Sequence, residues 1–193
     1  VGEPTDNLMV SASKGTKSYS VTIRGKACHS GYPELGHSAV DTFVEFVEKL
    51  RGIDFPEDEV LGPTTWNIGK LSSDNPQNIL SPELSFRLYF RTTFASDVMV
   101  QEVMEQMRSE DIDIKAFGGD TPMRYTTFDG IGTKPVAFGS DTPRMNKFTH
   151  RSLCGPGSIF VAHTPREYVL LSDLEKAQSQ YETLLKNIIY NEL

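Results

Sequence analysis

The sequence predicts a mixed α/β protein with two helices packed on one antiparallel sheet, and three patterns carry that reading. Leu84, Phe86, Leu88 and Phe90 alternate with Ser85, Arg87, Tyr89 and Arg91, the period of a strand with one buried face. Val40, Phe43, Val44, Val47 and Leu50 recur at helical spacing, and so do Val100, Val103, Met104 and Met107. Short alternating runs flank both helical patterns.

Taken in order, Tyr19, Val21 and Ile23 alternate with polar residues and give a first strand. A helix follows over 38–51, then a polar loop from Gly52 to Pro63. Trp66 and Ile68 mark a second strand, and Asn75-Pro76 a turn. After the Leu84–Arg91 strand, Ser96 and Asp97 are positioned to cap the second helix. Ile112, Ile114 and Ala116 give a last strand. Strand, helix, strand, strand, helix, strand over roughly residues 17–118 is the order of a ferredoxin-like βαββαβ sandwich.

Beyond it the pattern changes. Gly118 to Lys134 reads as a crossing segment rich in Gly, Thr and Pro. Val136-Ala137-Phe138 and Ile159-Phe160-Val161 read as short buried strands. Ser172-Asp173-Leu174-Glu175 reads as a capping box opening a final helix. That helix would bury Leu174, Ala177, Tyr181, Leu184, Leu185 and Ile188. Two short strands and one helix leave a sheet too narrow to cover itself, so this part reads as half of an α/β domain.

With 38% hydrophobic residues and a formal net charge of -7, the composition is that of an ordinary globular chain. Lys and Arg form no basic run, which argues against nucleic acid as a partner. No apolar run reaches the ~20 residues of a membrane helix. Cys28 and Cys154 make no disulfide framework and no C-x-x-C pair, so two free thiols and a reducing, cytoplasmic setting are expected.

The chemistry-bearing residues are few. Gly155-Pro156-Gly157-Ser158-Ile159-Phe160-Val161-Ala162-His163 sets an imidazole beyond a glycine-rich turn and a short apolar run, with Glu167 four positions on. An imidazole so held, with an acidic neighbour to orient it, is a candidate metal ligand. Gly2-Glu3-Pro4-Thr5 opens the chain, and Ala27-Cys28-His29-Ser30-Gly31 with Pro33-Glu34-Leu35-Gly36 follows. Asn78-Ile79-Leu80-Ser81-Pro82, Arg91 and Gly139-Ser140-Asp141 complete the set.

In this order these segments resemble the two-zinc metallopeptidases typified by acetylornithine deacetylase, succinyl-diaminopimelate desuccinylase, carboxypeptidase G and aminoacylase. The resemblance implies that Glu3 and His163 are zinc ligands, one for each of two ions. It implies that His29 reaches a partner subunit's active site to support the substrate's carbonyl oxygen. It implies that Arg91 and Asn78 hold a substrate carboxylate, and that Ser140, Gly155 and Gly157 line the substrate. One departure stands out: relatives place Pro three residues after the Asn, whereas here Ser81 intervenes and Pro82 is four after.

On this resemblance residues 1–16 end a first catalytic-domain segment, 17–118 form a dimerisation or lid domain, and 119–193 form the C-terminal part of the catalytic domain. The implied function is zinc-dependent hydrolysis of an amide bond in an N-acyl amino acid or small peptide, by a homodimer. The family's other ligands and its Glu-Glu base lie upstream of the Gly-Glu-Pro-Thr motif, so this stretch alone is expected to be inactive. The alternative is a dimerisation module, or a non-catalytic amino-acid-binding relative.

Overall fold

In the computed structural model residues 1–190 are described; residues 191–193, the end of the expected C-terminal segment, lie outside them. The chain divides into two compact units, one of Lys14–Pro122 and one of Val1–Ser13 together with the residues from Met123 onward.

The Lys14–Pro122 unit is the ferredoxin-like sandwich. Its elements are β2 (Gly15–Arg24), α1 (Ala39–Arg51), β3 (Thr65–Ser72), β4 (Glu83–Thr92), α2 (Asp97–Gln106) and β5 (Ile112–Asp120), after β1 (Met9–Ser13) of the other unit. The sheet order is β3-β4-β2-β5, with every neighbour antiparallel. Tyr19, Val21 and Ile23 of β2 and Leu84, Phe86, Leu88 and Phe90 of β4 form the floor of the core. Phe86 and Phe90 are almost fully buried. Phe43 and Phe46 meet the Phe86 ring edge-on at centroid distances of 5.1 and 5.5 Å, and Tyr19 meets Phe90 at 6.1 Å. Such contacts add to the ~1.5–3 kcal/mol that burial of each side chain contributes.

Both helices differ in detail from expectation. α1 buries Ala39, Phe46 and Leu50, with Phe43 and Val47 partly covered, while Val40 and Val44 face solvent. The buried stripe is therefore rotated from the one read off the valines. The α2 stripe of Val100, Val103, Met104 and Met107 is buried as expected. Ser96 does occupy the N-cap position, yet it makes no side-chain cap. Its hydroxyl accepts the Thr93 N–H at 3.0 Å. Asp97 instead accepts from Thr92 Oγ1 at 2.6 Å and pairs with Lys17 at 2.8 Å.

The other unit holds a three-stranded sheet of order β6-β1-β7, in which β6 is Met123–Arg124 and β7 is Thr133–Val136. β7 lies parallel to β1 and begins three residues before the expected Val136–Phe138 run. β1 was not expected at all; it is buried on both faces, with Met9, Val10 and Ala12 fully covered. The strand expected at Ile159–Val161 does not form. Ser158 makes one bridge to Thr5, and the chain then coils through turn bonds, Val161 N–H to Ser158 O and Ala162 N–H to Ile159 O. Phe160 stands 88% exposed. With no neighbouring strand to pair its backbone, an apolar run satisfies its own amides locally.

α3 spans Leu171–Tyr190. Ser172 lies inside its first turn, and the N–H groups of Asp173 and Leu174 both reach Leu170 O, so the expected capping box is not the cap. Of the expected buried face only Ala177 is buried, while Leu174, Tyr181, Leu185 and Ile188 are exposed. No described helix is long and apolar enough to cross a membrane.

Replacing Phe86 by Ala is expected to lower stability by about 3–5 kcal/mol, read as a lower denaturant midpoint at unchanged slope. Burial, with the charges of Asp97 and Glu105 adding to it, pushes the Tyr19 phenol up to about 12. Its folded value thus exceeds the unfolded ~10. The unfolded chain loses that proton first, so stability falls as pH climbs from about 10 to about 12. Tyr19→Phe is expected to flatten that alkaline loss in denaturation midpoints taken across the window.

Candidate functional site

The segment around Glu3 is built by pairing the start of the chain with residues 152–158. Cys154 N–H donates to Val1 O at 3.1 Å, Thr5 N–H and Asn7 N–H to Gly155 O at 3.2 and 2.9 Å, and Asp6 N–H to Gly157 O at 2.8 Å. Gly155 N–H returns a bond to Thr5 Oγ1 at 2.9 Å. A Cβ on Gly155 would sit 2.5 Å from Glu3 O and 2.9 Å from Glu3 N, so only glycine lets the backbones approach this closely. Gly157 turns the chain at φ 80°. Both glycines therefore serve the backbone that carries Glu3.

Glu3 is half-buried and lines a cavity of about 520 Å³, together with Ser158, Ala162, Glu167, Tyr168 and Val169. Burial first, and the nearby Asp141 charge second, raise the Glu3 carboxyl above its ordinary value. His163 follows the wall residue Ala162 in an exposed left-handed turn, φ 61°. Its N–H donates to Glu167 Oε2 at 3.0 Å, so the acidic neighbour expected to orient the imidazole bonds its backbone instead. The Ser140 hydroxyl is engaged by Thr142 Oγ1 at 2.6 Å and by Tyr125 Oη at 3.4 Å, and Tyr125 Oη meets Ser13 Oγ at 3.0 Å.

Among the described residues no three His, Cys, Asp or Glu side chains gather closely enough to hold a metal. Glu3 and His163 offer donor types that zinc accepts, and a carboxyl raised by burial and by an acidic neighbour is one whose charge a cation would relieve. By donor type they suit a share of a zinc site, although His163 itself does not line the cavity that Glu3 does. They do not complete one, since a catalytic zinc takes about three protein ligands.

In the sandwich unit, two loops bring His29 and Asn78 together. Ser30 N–H donates to Asn78 O at 2.9 Å, Leu80 N–H to Cys28 O at 3.0 Å, and His29 bridges Ile79. His29 Nδ1 accepts the Gly31 N–H at 3.1 Å. A neutral imidazole that accepts at Nδ1 carries its proton on Nε2, leaving an exposed donor. The intervening Ser81 is 2% exposed and is a packing pin rather than a disturbance. Its hydroxyl meets Ser73 Oγ at 2.7 Å and donates to Glu83 O at 2.9 Å, and its carbonyl accepts the Ala39 N–H.

Arg91 lies at the other end of β4, opposite Thr16 and Thr65, with its guanidinium 5.0 Å from the Tyr89 ring. Eight residue steps from Glu83 to Arg91 span about 26 Å. Arg87 is no solvated edge residue: it stacks at 3.9 Å on Phe117, with a buried Nη1.

The model of the M20 peptidase dimerisation domain matches residues 11–113. This chain belongs to the M20 peptidase family. It is 34% identical over 195 residues to a peptidase M20 domain-containing protein of Schizosaccharomyces pombe, covering 98% of this chain and 47% of that one. It is 31% identical over 208 residues to a protein of Aspergillus flavus named a probable carboxypeptidase, covering 95% of this chain and 50% of that one. The chain thus spans about half the length of the curated relatives it matches. Among solved structures, a Staphylococcus aureus tripeptidase aligns with TM-score 0.77 at 20% identity, over 96% of this chain and 55% of that one. Aminopeptidase PepT of Bacillus cereus aligns with TM-score 0.74 at 17% identity, over 97% and 56%. The mixed fold of this M20 chain, with its ferredoxin-like dimerisation domain, is the one the sequence predicts.

The Gly155 contact makes a direct prediction. Gly155→Ala is expected to cost about 1–3 kcal/mol by overpacking against the Glu3 backbone. A thermal melt of the variant beside the unaltered chain checks it.

Proposed function

We propose that the whole M20 protein is a homodimeric, zinc-dependent hydrolase cleaving an amide bond in an N-acyl amino acid or small peptide, and that each active site is shared between two copies. The observation that carries this reading is the length of β4. His29 and Asn78 sit together in loops beyond its Glu83 end and Arg91 lies near its other end, and the strand from Glu83 to Arg91 is itself about 26 Å long. A small substrate cannot bridge that span. Two copies related by a two-fold axis can supply both ends to one substrate, once at each of two equivalent sites.

In this reading Arg91 clamps the substrate carboxylate, for which a guanidinium fork is suited, and Asn78 adds a neutral contact. His29 donates from Nε2–H to the scissile carbonyl oxygen as negative charge grows there, a contribution of ~10²–10³ in rate. Glu3 and His163 would hold zinc together with ligands from outside these 193 residues, which would also supply the general base. When bound, paired zinc ions polarise the carbonyl and lower the pKa of a water. Asp141 beside Glu3, and the Ser140 hydroxyl, line the approach to these ligands. Cys28 and Cys154, both free thiols, support a reducing, cytoplasmic setting. Residues 1–16 and 119–193 are taken as parts of the catalytic domain and 17–118 as the lid.

The absence of a gathered ligand set among the described residues favours a second reading for the 193-residue chain by itself, that of a dimerisation module without turnover. Sedimentation with a zinc titration separates the two: the module dimerises and takes up no stoichiometric metal.

The shared site has its own test in the full-length protein, on a panel of N-acetyl amino acids and tripeptides. His29→Ala is expected to lower kcat by ~10²–10³ with little change in KM, and a chelator to abolish turnover until zinc is restored. Arg91→Ala is expected to raise KM chiefly. At substrate concentrations far below the KM of Arg91→Ala, where both variants turn over little, mixing and reassociating them gives each mixed dimer one intact site of two. About a quarter of the unaltered activity should return. No recovery on mixing would place His29 and Arg91 in one site of one chain.

A further inference from the structure

His163 holds a backbone conformation uncommon for any residue but glycine. Its φ is 61°, and among the described non-glycine residues only Asp6, Asn7 and Lys70 share the left-handed region. That region costs an L-residue about 1–2 kcal/mol, and although histidine is several-fold enriched there, non-glycine residues adopt it uncommonly. Something must hold the turn.

The bonds that do so run on both sides of His163. Thr164 Oγ1 donates to Val161 O at 2.7 Å, and Arg166 N–H donates to Thr164 Oγ1 at 3.2 Å. Glu167 N–H donates to Thr164 O at 3.1 Å, which fixes the Glu167 backbone. From that fixed point the Glu167 carboxylate reaches back and takes the His163 N–H at 3.0 Å. Residues 161–167 thus form a closed loop in which His163 is gripped at its own amide. That side-chain bond, closed across the turn, works against the left-handed cost.

We infer that Glu167 is the positioning residue for His163: its carboxylate, by holding the His163 N–H, sets the direction in which the imidazole is presented. The inference rests on the reading that His163 is a zinc ligand. Glu167 also lines the cavity that Glu3 lines. The chemistry is that of an outer partner orienting a ligand, with the backbone amide in the place usually taken by the second ring nitrogen.

The test compares Glu167→Ala and Glu167→Gln in the full-length protein labelled with nitrogen-15 at histidine. Gln keeps a carbonyl oxygen where the carboxylate was. In the Ala variant the His163 amide is expected to exchange with solvent about tenfold faster or more, and the Gln variant to recover most of the protection. Zinc affinity, read by competition with a chromophoric chelator, is expected to fall about 10–100-fold in the Ala variant and to recover in the Gln variant. A purely structural glutamate would lower the melting temperature in both variants and leave the His163 amide exchanging no faster relative to the other labelled histidine amides, which overturns the inference. An unchanged zinc affinity in Glu167→Ala also overturns it. If His163→Ala itself leaves zinc affinity unchanged, the ligand reading fails instead, and amide exchange still decides what Glu167 does.

Discussion

Ten consecutive residue pairs, from Gly15 opposite Thr92 to Arg24 opposite Glu83, bind β2 to β4 without a break. The rest of the sandwich depends on that register. It sets the apolar faces of the two central strands against α1 and α2, and a slip of one residue would turn Phe86 and Phe90 out to solvent. The same register decides where the polar ends lie. The residues after β2 and before β4 meet at one end, bringing His29 beside Asn78, and Arg91 is carried to the other. A strand of this length is stiff, so the two groups of candidate residues are kept apart by the element that stabilises the core.

In the other unit the governing constraint is a close approach of two backbones rather than a register. Residues 1–7 lie against 152–158 because Gly155 has no side chain and Gly157 accepts a positive φ. Thr5 seals the contact, bonding Gly155 from both its amide and its hydroxyl while fully buried. Glu3 and the turn leading to His163 thereby line one cavity, although Glu3 and His163 are 160 positions apart in sequence. Tyr181 adds a bond from α3 to Cys154 O at 2.8 Å, fixing the same segment from its other side.

Most of the sandwich was legible because its strands alternate cleanly and its core face is continuous. What was not legible had local physical causes. β1 is covered on both faces, so Met9 to Ser13 shows no alternation to read. On α1 the valines at 40, 44 and 47 make a stripe next to the aromatic one, and spacing alone does not say which faces the sheet. The packing of Phe46 on Phe86 decides it. Among site residues, the motifs supplied identities but not partners. No spacing rule foretells that Ser30 bonds Asn78, since that contact joins two loops brought together by the sheet. The binding of Glu167 to an amide rather than an imidazole was hidden for a related reason: a four-residue interval fits either atom.

The final helix shows the difference between what a pattern permits and what a chain achieves. Leu174, Tyr181, Leu185 and Ile188 have the spacing of a buried stripe, yet each is more than a third exposed, and only Ala177 among the marked residues is covered fully. Amphipathic spacing reports which face of a helix would gain by losing water. Whether it does so depends on the area opposite. A sheet of three strands, one of them two residues long, offers little such area. The hydrogen bonds of Tyr181 and Gln180 to the segments around Cys154 and Asn7 seat α3 beside the limited apolar contact that Ala177 makes. Polar anchoring of this kind fixes position and direction together, each bond being worth net about as much as the burial of roughly 40 Å² of apolar surface.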